Sequence, residues 1–270
     1  MPRPFAPSPA PGPTAWHANV VGAISAVARF TPGGTVEEAG GVTIARSGVA
    51  LPAFNCVFVL DPPSSLEGLE ARIERAFGDG RLPWSLMATN ETAPRLEPIA
   101  RAFGLDREVV LPGMVWEPLG ETSRPPAVAL EIRPITDPRS APEFVRTMME
   151  GFEGSPELLL PWAGGIAARG RFPPGVHCYL GYVAGRPVAS ALRFTTPGVA
   201  GIYGVATLPE FRRRGFGEAL TRRAALDGRG EGCRQSYLQS SEMGRSVYER
   251  IGYRAVEEYR EWAHGSARRA

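Results

Sequence analysis

Three arginines and two glycines in the run Arg212-Arg213-Arg214-Gly215-Phe216-Gly217 lie between an apolar segment and a helical one, and they constrain this chain more than any other feature. Upstream, Ile202 to Thr207 reads as a buried strand, and Pro209 in Leu208-Pro209-Glu210-Phe211 cannot continue its ladder. Downstream, the spacing predicts a helix from Gly217. Glycines at 215 and 217 let the backbone pass close to a ligand, and the first helical amides, which lack internal acceptors, point at any anion placed there. The three guanidiniums add charge and fork geometry. A strand–loop–helix unit of this kind is a socket for a pyrophosphate.

Other phosphate-binding loops do not fit. The sequence contains no lysine, which excludes a Walker A loop, a kinase strand lysine and a pyridoxal Schiff base. A dinucleotide fingerprint needs a third glycine where Leu220 stands. With a net charge of +2, the basic run is a local feature and does not make the chain a nucleic-acid binder. Its 43% hydrophobic and 21% charged residues describe a globular protein with a real core. Three cysteines, Cys56, Cys178 and Cys233, are far apart and show no metal spacing, so a reduced cytoplasmic setting and no metal are expected. No stretch approaches a membrane span, and no membrane partner is expected.

Punctuation by proline and glycine divides the chain. Residues 1–14 alternate proline with small residues and read as a disordered arm; residues 118–127 are the clearest boundary. The expected organisation is a first domain over 15–118, a linker over 119–127, a second domain over 128–264 and a tail over 265–270. In the second domain, strands are expected at 130–135, 176–183, 187–195, 202–207, 235–240 and 254–262. Helices are expected at 141–152, 156–169, from 217, and at 244–251. The first domain shows helical stripes at Trp16, Val20, Ile24, Val27 and Phe30 and at Leu66, Leu69, Ile73 and Phe77. A further helix is expected at 94–103, with strands at 42–46, 55–60, 84–89 and around 108–117.

The Arg-rich loop, followed by Tyr248-Glu249-Arg250-Ile251-Gly252-Tyr253, makes residues 130–264 resemble the GNAT superfamily of acyl-CoA-dependent N-acyltransferases. The resemblance implies an α/β fold of the α+β kind, with a mixed, mostly antiparallel sheet flanked by helices. It also implies acetyl-CoA as co-substrate, with Arg212, Gly215 and Gly217 at the pyrophosphate and Arg213, Arg214, Phe216 and Glu218 completing the socket. Val205, Ala206 and Thr207 would bind the pantetheine arm through their backbone. Ser241 stands where many members carry an asparagine that bonds the same arm. Tyr248, four residues before Gly252, is the implied general acid. A phenol with an ordinary pKa of about 10 stays protonated at neutral pH and can protonate a departing thiolate.

No general base stands out on the strand 199–207; Tyr203, His177, Glu153 and Glu242 are candidates by position only. The acceptor is expected to be a small-molecule or peptide amine that attacks the thioester directly in a ternary complex. Glu153, Glu157 and the apolar run Leu158-Leu159-Leu160 with Trp162 mark the region expected to select it. The oligomeric state, monomer or homodimer, is open.

The first half follows a shortened version of the same element order and is expected to be a second, degenerate GNAT-like domain. Where the second half has arginines and glycines, the first has Asp61-Pro62-Pro63-Ser64-Ser65, with a carboxylate that would repel a pyrophosphate and two prolines that lack amide donors. Ala100 stands four residues before Gly104, where the second half has Tyr248 before Gly252. Two functions remain in contention from sequence: an N-acetyltransferase active in its second half, or an acyl-CoA-binding sensor or scaffold without turnover.

Overall fold

The computed structural model describes residues 11–117, 119–120 and 129–264. Eleven strands form one mixed sheet in the order β1-β2-β3-β4-β11-β5-β10-β9-β8-β7-β6. In the first half these are β1 (Thr35–Ala39), β2 (Val42–Arg46), β3 (Asn55–Val59), β4 (Ser85–Thr89) and β5 (Arg107–Trp116). In the second they are β6 (Glu131–Ile135), β7 (Val176–Val183), β8 (Arg186–Thr196), β9 (Val199–Thr207), β10 (Gln235–Gln239) and β11 (Arg254–Ala263). Neighbours are antiparallel except β3 with β4 and β9 with β10. Those two parallel pairs are bridged by α2 (Leu69–Phe77) and α6 (Phe216–Gly230), the longer connection that parallel strands require.

The two halves exchange their last strands. β5 leaves its own half to pair with β10, from Ser236↔Trp116 to Gln239↔Gly113, and β11 crosses back to lie between β4 and β5. The strand expected to close the second domain therefore completes the sheet of the first, and two separate sheets are not what forms. Side-chain burial explains the crossing. Tyr259 and Trp262 of β11 are both buried but belong to different clusters on opposite faces of the sheet, so the strand needs neighbours on both edges and cover on both sides. After the exchange, β1–β4 with β11 and β7–β10 with β5 show the same succession of antiparallel, antiparallel, parallel and antiparallel pairs. Only β6 has no counterpart.

One face of the sheet carries α1 (Pro13–Phe30), α4 (Ala141–Gly151) and α5 (Leu160–Arg169). The other carries α2 and α3 (Ala93–Ala102) over the first half, and α6 and α7 (Glu242–Ile251) over the second. α1 opens at Pro13, inside the segment expected to be a disordered arm; proline suits a first helical turn because its missing N–H has no acceptor there. Residues 1–10, most of the expected linker and the tail fall outside the described residues, although Leu119 is buried against the α6 side.

A buried polar network lies beneath α1 where the halves meet. His17 Nδ1 is 2.9 Å from Asp61 Oδ1 and its Nε2 is 2.8 Å from Glu257 Oε2. Tyr237 and Tyr259 both donate to Glu257 Oε1, the latter at 2.7 Å. Trp16 stacks on Tyr237 with centroids 5.3 Å apart and donates from Nε1 to Gln235 at 2.8 Å. Burial lowers the His17 pKa, but the hydrogen bonds to Glu257 and Asp61 and their charges outweigh it, leaving a net rise above 6.5.

Candidate active site

The parallel contact between β9 and β10 is short. Only Gln235↔Val199, Ser236↔Ala200 and Tyr237↔Gly201 pair, so β9 beyond Gly201 has left its neighbour. In the first half, β3 and β4 stay paired from Cys56↔Ser85 to Val59↔Ala88, along nearly the whole of both strands. A slot therefore opens in the second half at Ile202 to Thr207, the segment carrying Val205, Ala206 and Thr207. A bulge turns the strand at that point: β9 steps from Ala206 back to Tyr203 while β8 advances from Ser190 to Leu192. Gly204 in the bulge has φ +56, and Ser190 Oγ donates to its carbonyl at 2.9 Å. A side chain there would meet the Met148 sulfur at 2.7 Å, so both conformation and space call for glycine.

The Arg-rich loop follows. Gly215 is the N-cap of α6 in the left-handed region, at φ 83, and no side chain caps the helix, leaving the first-turn amides of Phe216, Gly217 and Glu218 facing outward. The helix begins at Phe216, one residue before the expected start, with the Phe216 ring buried under it. Arg213 also has positive φ, +63, so the loop bends sharply around its own amides, and its exposed guanidinium has no partner among the described residues. Gly217 is not demanded by packing. A Cβ there would lie 3.5 Å from Val205, an ordinary contact, so the space in front of it is open on the ligand side.

The three guanidiniums do not act alike. Arg212 turns inward: it donates to the Gly151 carbonyl at the end of α4 at 2.9 Å and to the Thr207 carbonyl at 3.3 Å, and pairs with Glu153 at 2.6 Å. Its side chain fastens the loop to α4. Arg214 stacks on Phe211 and donates to the Glu210 carbonyl at 3.1 Å. Glu218 faces Arg222 at 3.3 Å and Arg250 at 3.9 Å. Arg222 is buried over the Trp116 ring, and Arg223 pairs with Asp227 at 2.9 Å.

Tyr248 stands on α7, with its ring lying against Gly244 in the first turn of the same helix. Its ring packs edge-on against Tyr253, centroids 5.9 Å apart, and its hydroxyl has no partner among the described residues. Burial pushes its pKa up to about 12, so it holds its proton across the physiological range. Tyr253 differs in having its hydroxyl 2.5 Å from Ser236 Oγ. Ser241 is the N-cap of α7, accepting from the Gly244 amide at 3.2 Å, which leaves its hydroxyl proton to offer elsewhere.

The base candidates disperse. The Tyr203 hydroxyl donates to Asn19 Oδ1 at 2.8 Å, His177 sits near Glu231 at 3.8 Å on the far part of the sheet, and Glu153 is paired with Arg212. Glu242 is exposed in the first turn of α7. The three cysteines are free thiols buried in the core. Among the described residues no cluster of His, Cys, Asp and Glu is arranged to hold a metal, and no helix is long and apolar enough to cross a membrane.

Beside the bulge, on the α1 side, lies a cavity of about 480 Å³ that the sequence did not reveal. Ile24 and Val27 of α1, Met148 and Phe152 near the end of α4, Trp162 of α5, and Tyr203 and Gly204 of β9 form its walls. Arg107 and Val109 of β5 and Glu261 and Ala263 of β11 close it on the side of the first half.

A family model described as an acetyltransferase (GNAT) domain matches residues 174–255, from just before β7 to the start of β11. The whole chain is similar to a solved GCN5-related N-acetyltransferase from Kribbella flavida, at 17% identity and TM-score 0.64, covering 92% of this chain and 95% of that one. A conserved protein of unknown function from Staphylococcus epidermidis is similar at 18% identity and TM-score 0.60, covering 86% and 94%. A GNAT-family structure from Novosphingobium aromaticivorans gives 19% and 0.58, covering 94% and 98%. No curated protein matches. At these identities the likeness establishes a GNAT-like fold running through both halves.

Proposed function

We propose that the protein is an acyl-CoA-dependent N-acyltransferase whose second half holds the active site and whose first half is a degenerate copy of the same unit. The observation that carries this is the slot between β9 and β10 in front of the uncapped start of α6; α2 of the first half also starts uncapped, at the left-handed Gly68, but no slot opens before it. There β3 and β4 remain zipped, Asp61 is tied to His17, and Ala100 stands where a phenol would be needed.

In this reading the CoA pyrophosphate rests on the amides of Gly215, Phe216 and Gly217, with Arg213 and Arg214 adding charge from outside. Arg212 acts one step removed, by holding the loop on α4. The pantetheine arm runs along Val205, Ala206 and Thr207, with Ser241 offering its hydroxyl proton. The thioester reaches the bulge at Gly204, where backbone amides supply fixed dipoles for the developing oxyanion. A neutral amine attacks the carbonyl directly in a ternary complex, the nitrogen gives up its surplus proton to water, the carbon–sulfur bond breaks as Tyr248 delivers its proton to the thiolate, and the phenol regains a proton from solvent.

Thiol release from acetyl-CoA, followed across a panel of primary amines, tests the reading. Amine-dependent release supports it. Tight binding of acetyl-CoA with no release for any amine would instead mark a sensor.

A further inference from the structure

The cavity beside the bulge is built by both halves, and its chemistry is specific. Strand alternation puts Trp262 into the core beneath α2 and α3, which turns its neighbours Glu261 and Ala263 to the opposite face and into the cavity. Opposite them stand Tyr203 and Gly204, the residues at which the slot of β9 opens. The remaining walls are aliphatic and aromatic: Ile24, Met148, Phe152 and Trp162. A single carboxyl, with the Arg107 side chain on the same wall, thus enters an otherwise apolar chamber of about 480 Å³, within the range of sites that enclose a small organic molecule.

No ion pair engages Glu261 among the described residues, and burial raises its pKa above 4.5 while the Ser85 hydroxyl and the Arg107 charge offset only part of that effect. Arg107 is exposed at the rim and keeps its charge in water. A carboxyl buried beside apolar walls, with one hydroxyl and a rim guanidinium as its partners, is costly to the fold, and a cation that entered the chamber would lower the cost. A polyhydroxylated or multiply charged amine would leave most of its polar groups facing Ile24, Met148 and Trp162 without partners.

We infer that this cavity is the acceptor site and that it takes a singly charged primary amine carried on an aromatic or branched aliphatic body, with Glu261 as the partner of the ammonium group before that nitrogen loses its proton to solvent and attacks. The inference rests on the N-acyltransferase reading for the word acceptor, but the binding it asserts is measurable without catalysis. Glu261 comes from β11, the strand of the second half exchanged into the sheet of the first, and the first half adds Ile24, Val27 and Val109 to the walls, so it helps to shape the chamber although it has lost the cofactor slot.

Calorimetric titration of 4-phenylbutylamine into the CoA-loaded protein, with neutral 4-phenylbutan-1-ol and the polyamine spermidine for comparison, tests this. Binding of the phenylbutylamine at least ten-fold tighter than of either comparison compound is expected, and Glu261→Gln should remove at least ten-fold of it while leaving the alcohol unaffected. Acetyl-CoA titrated into the same variant should bind as in the wild type, which separates loss of the acceptor site from loss of the cofactor site. Met148→Trp, which fills the chamber from α4, gives a second variant and should weaken the amine and the alcohol together. Unchanged amine affinity in Glu261→Gln, tighter binding of spermidine, or preference for octanoyl-CoA over acetyl-CoA without amine binding would overturn the inference. The last of these would assign the cavity to an acyl chain.

Discussion

Arg212 donates to the carbonyl of Gly151 at 2.9 Å, joining the loop in front of α6 to the last turn of α4. A guanidinium at a helix C-terminus also meets the negative end of its dipole. Arg212→Ala should therefore lower thermal stability as well as cofactor affinity, because a charged donor that is about one-third exposed contributes about 1–2 kcal/mol through such bonds. Arg213→Ala should behave differently: cofactor affinity falls and becomes less dependent on salt, while the melting temperature stays put. Differential scanning fluorimetry beside acetyl-CoA titration at two ionic strengths distinguishes the two.

Tyr248 is expected to act through its proton. Tyr248→Phe keeps the ring and its contact with Tyr253, so binding of acetyl-CoA should be unchanged while kcat falls by about 10²-fold or more, the usual contribution of a positioned acid. Since burial carries its pKa to about 12, the tyrosine should not limit the rate on the alkaline side below about pH 10. An alkaline loss of kcat centred near pH 8 that disappears in the Phe variant would contradict the assignment.

Stability should depend on pH through the seam beneath α1. His17 has a raised pKa in the folded state, so its contribution is complete below 6.5 and is lost as pH rises through the raised value. Glu257 is shifted the other way: burial raises its pKa, but bonds from His17, Tyr237 and Tyr259 bring it net below 4.5, so its contribution is complete above 4.5 and is lost as pH falls further. Chemical denaturation should find both contributions intact between pH 4.5 and 6.5. His17→Gln should flatten the decline on the alkaline side. An identical alkaline slope in wild type and variant would show that the imidazole carries no linkage.

Much of the fold was legible because its local signals are strong. The glycines at 104 and 252, which follow α3 and α7 with positive φ, stand at equivalent places in the two halves and make the element order comparable from residue spacing alone. The edge strand β1 was missed because Thr35–Ala39 is exposed along almost its whole length and has no apolar alternation. The exchange of β5 and β11 was beyond reach: strand order in sequence does not say which edge a strand will join, and only two-sided burial of Tyr259 and Trp262 selects the crossing.

The site divides in the same manner. The turn at Gly215 and the placement of Tyr248 on a helix ending at Gly252 were readable because a backbone conformation and a fixed offset mark them. Arg212 was read as pointing at the ligand, and a one-dimensional pattern has no means of recording that the end of α4 lies within its reach. Glu261 belongs to no sequence motif, and the cavity it enters exists only once α1, α4, β9 and β11 have been brought together.

The central claim is that the open start of α6 holds the pyrophosphate of CoA, and Gly217→Asp tests it with two opposite consequences. A side chain fits there without displacing Val205, and replacing a helical glycine by an acid in the first turn should leave the fold intact or stabilise it by up to about 1 kcal/mol. The same carboxylate would stand where two phosphates must lie. Calorimetric titration of acetyl-CoA is predicted to give saturable binding to the wild type and at least a hundred-fold weaker binding to a Gly217→Asp protein that melts no earlier. Equal affinity in the two proteins, or no binding to the wild type, would contradict the account.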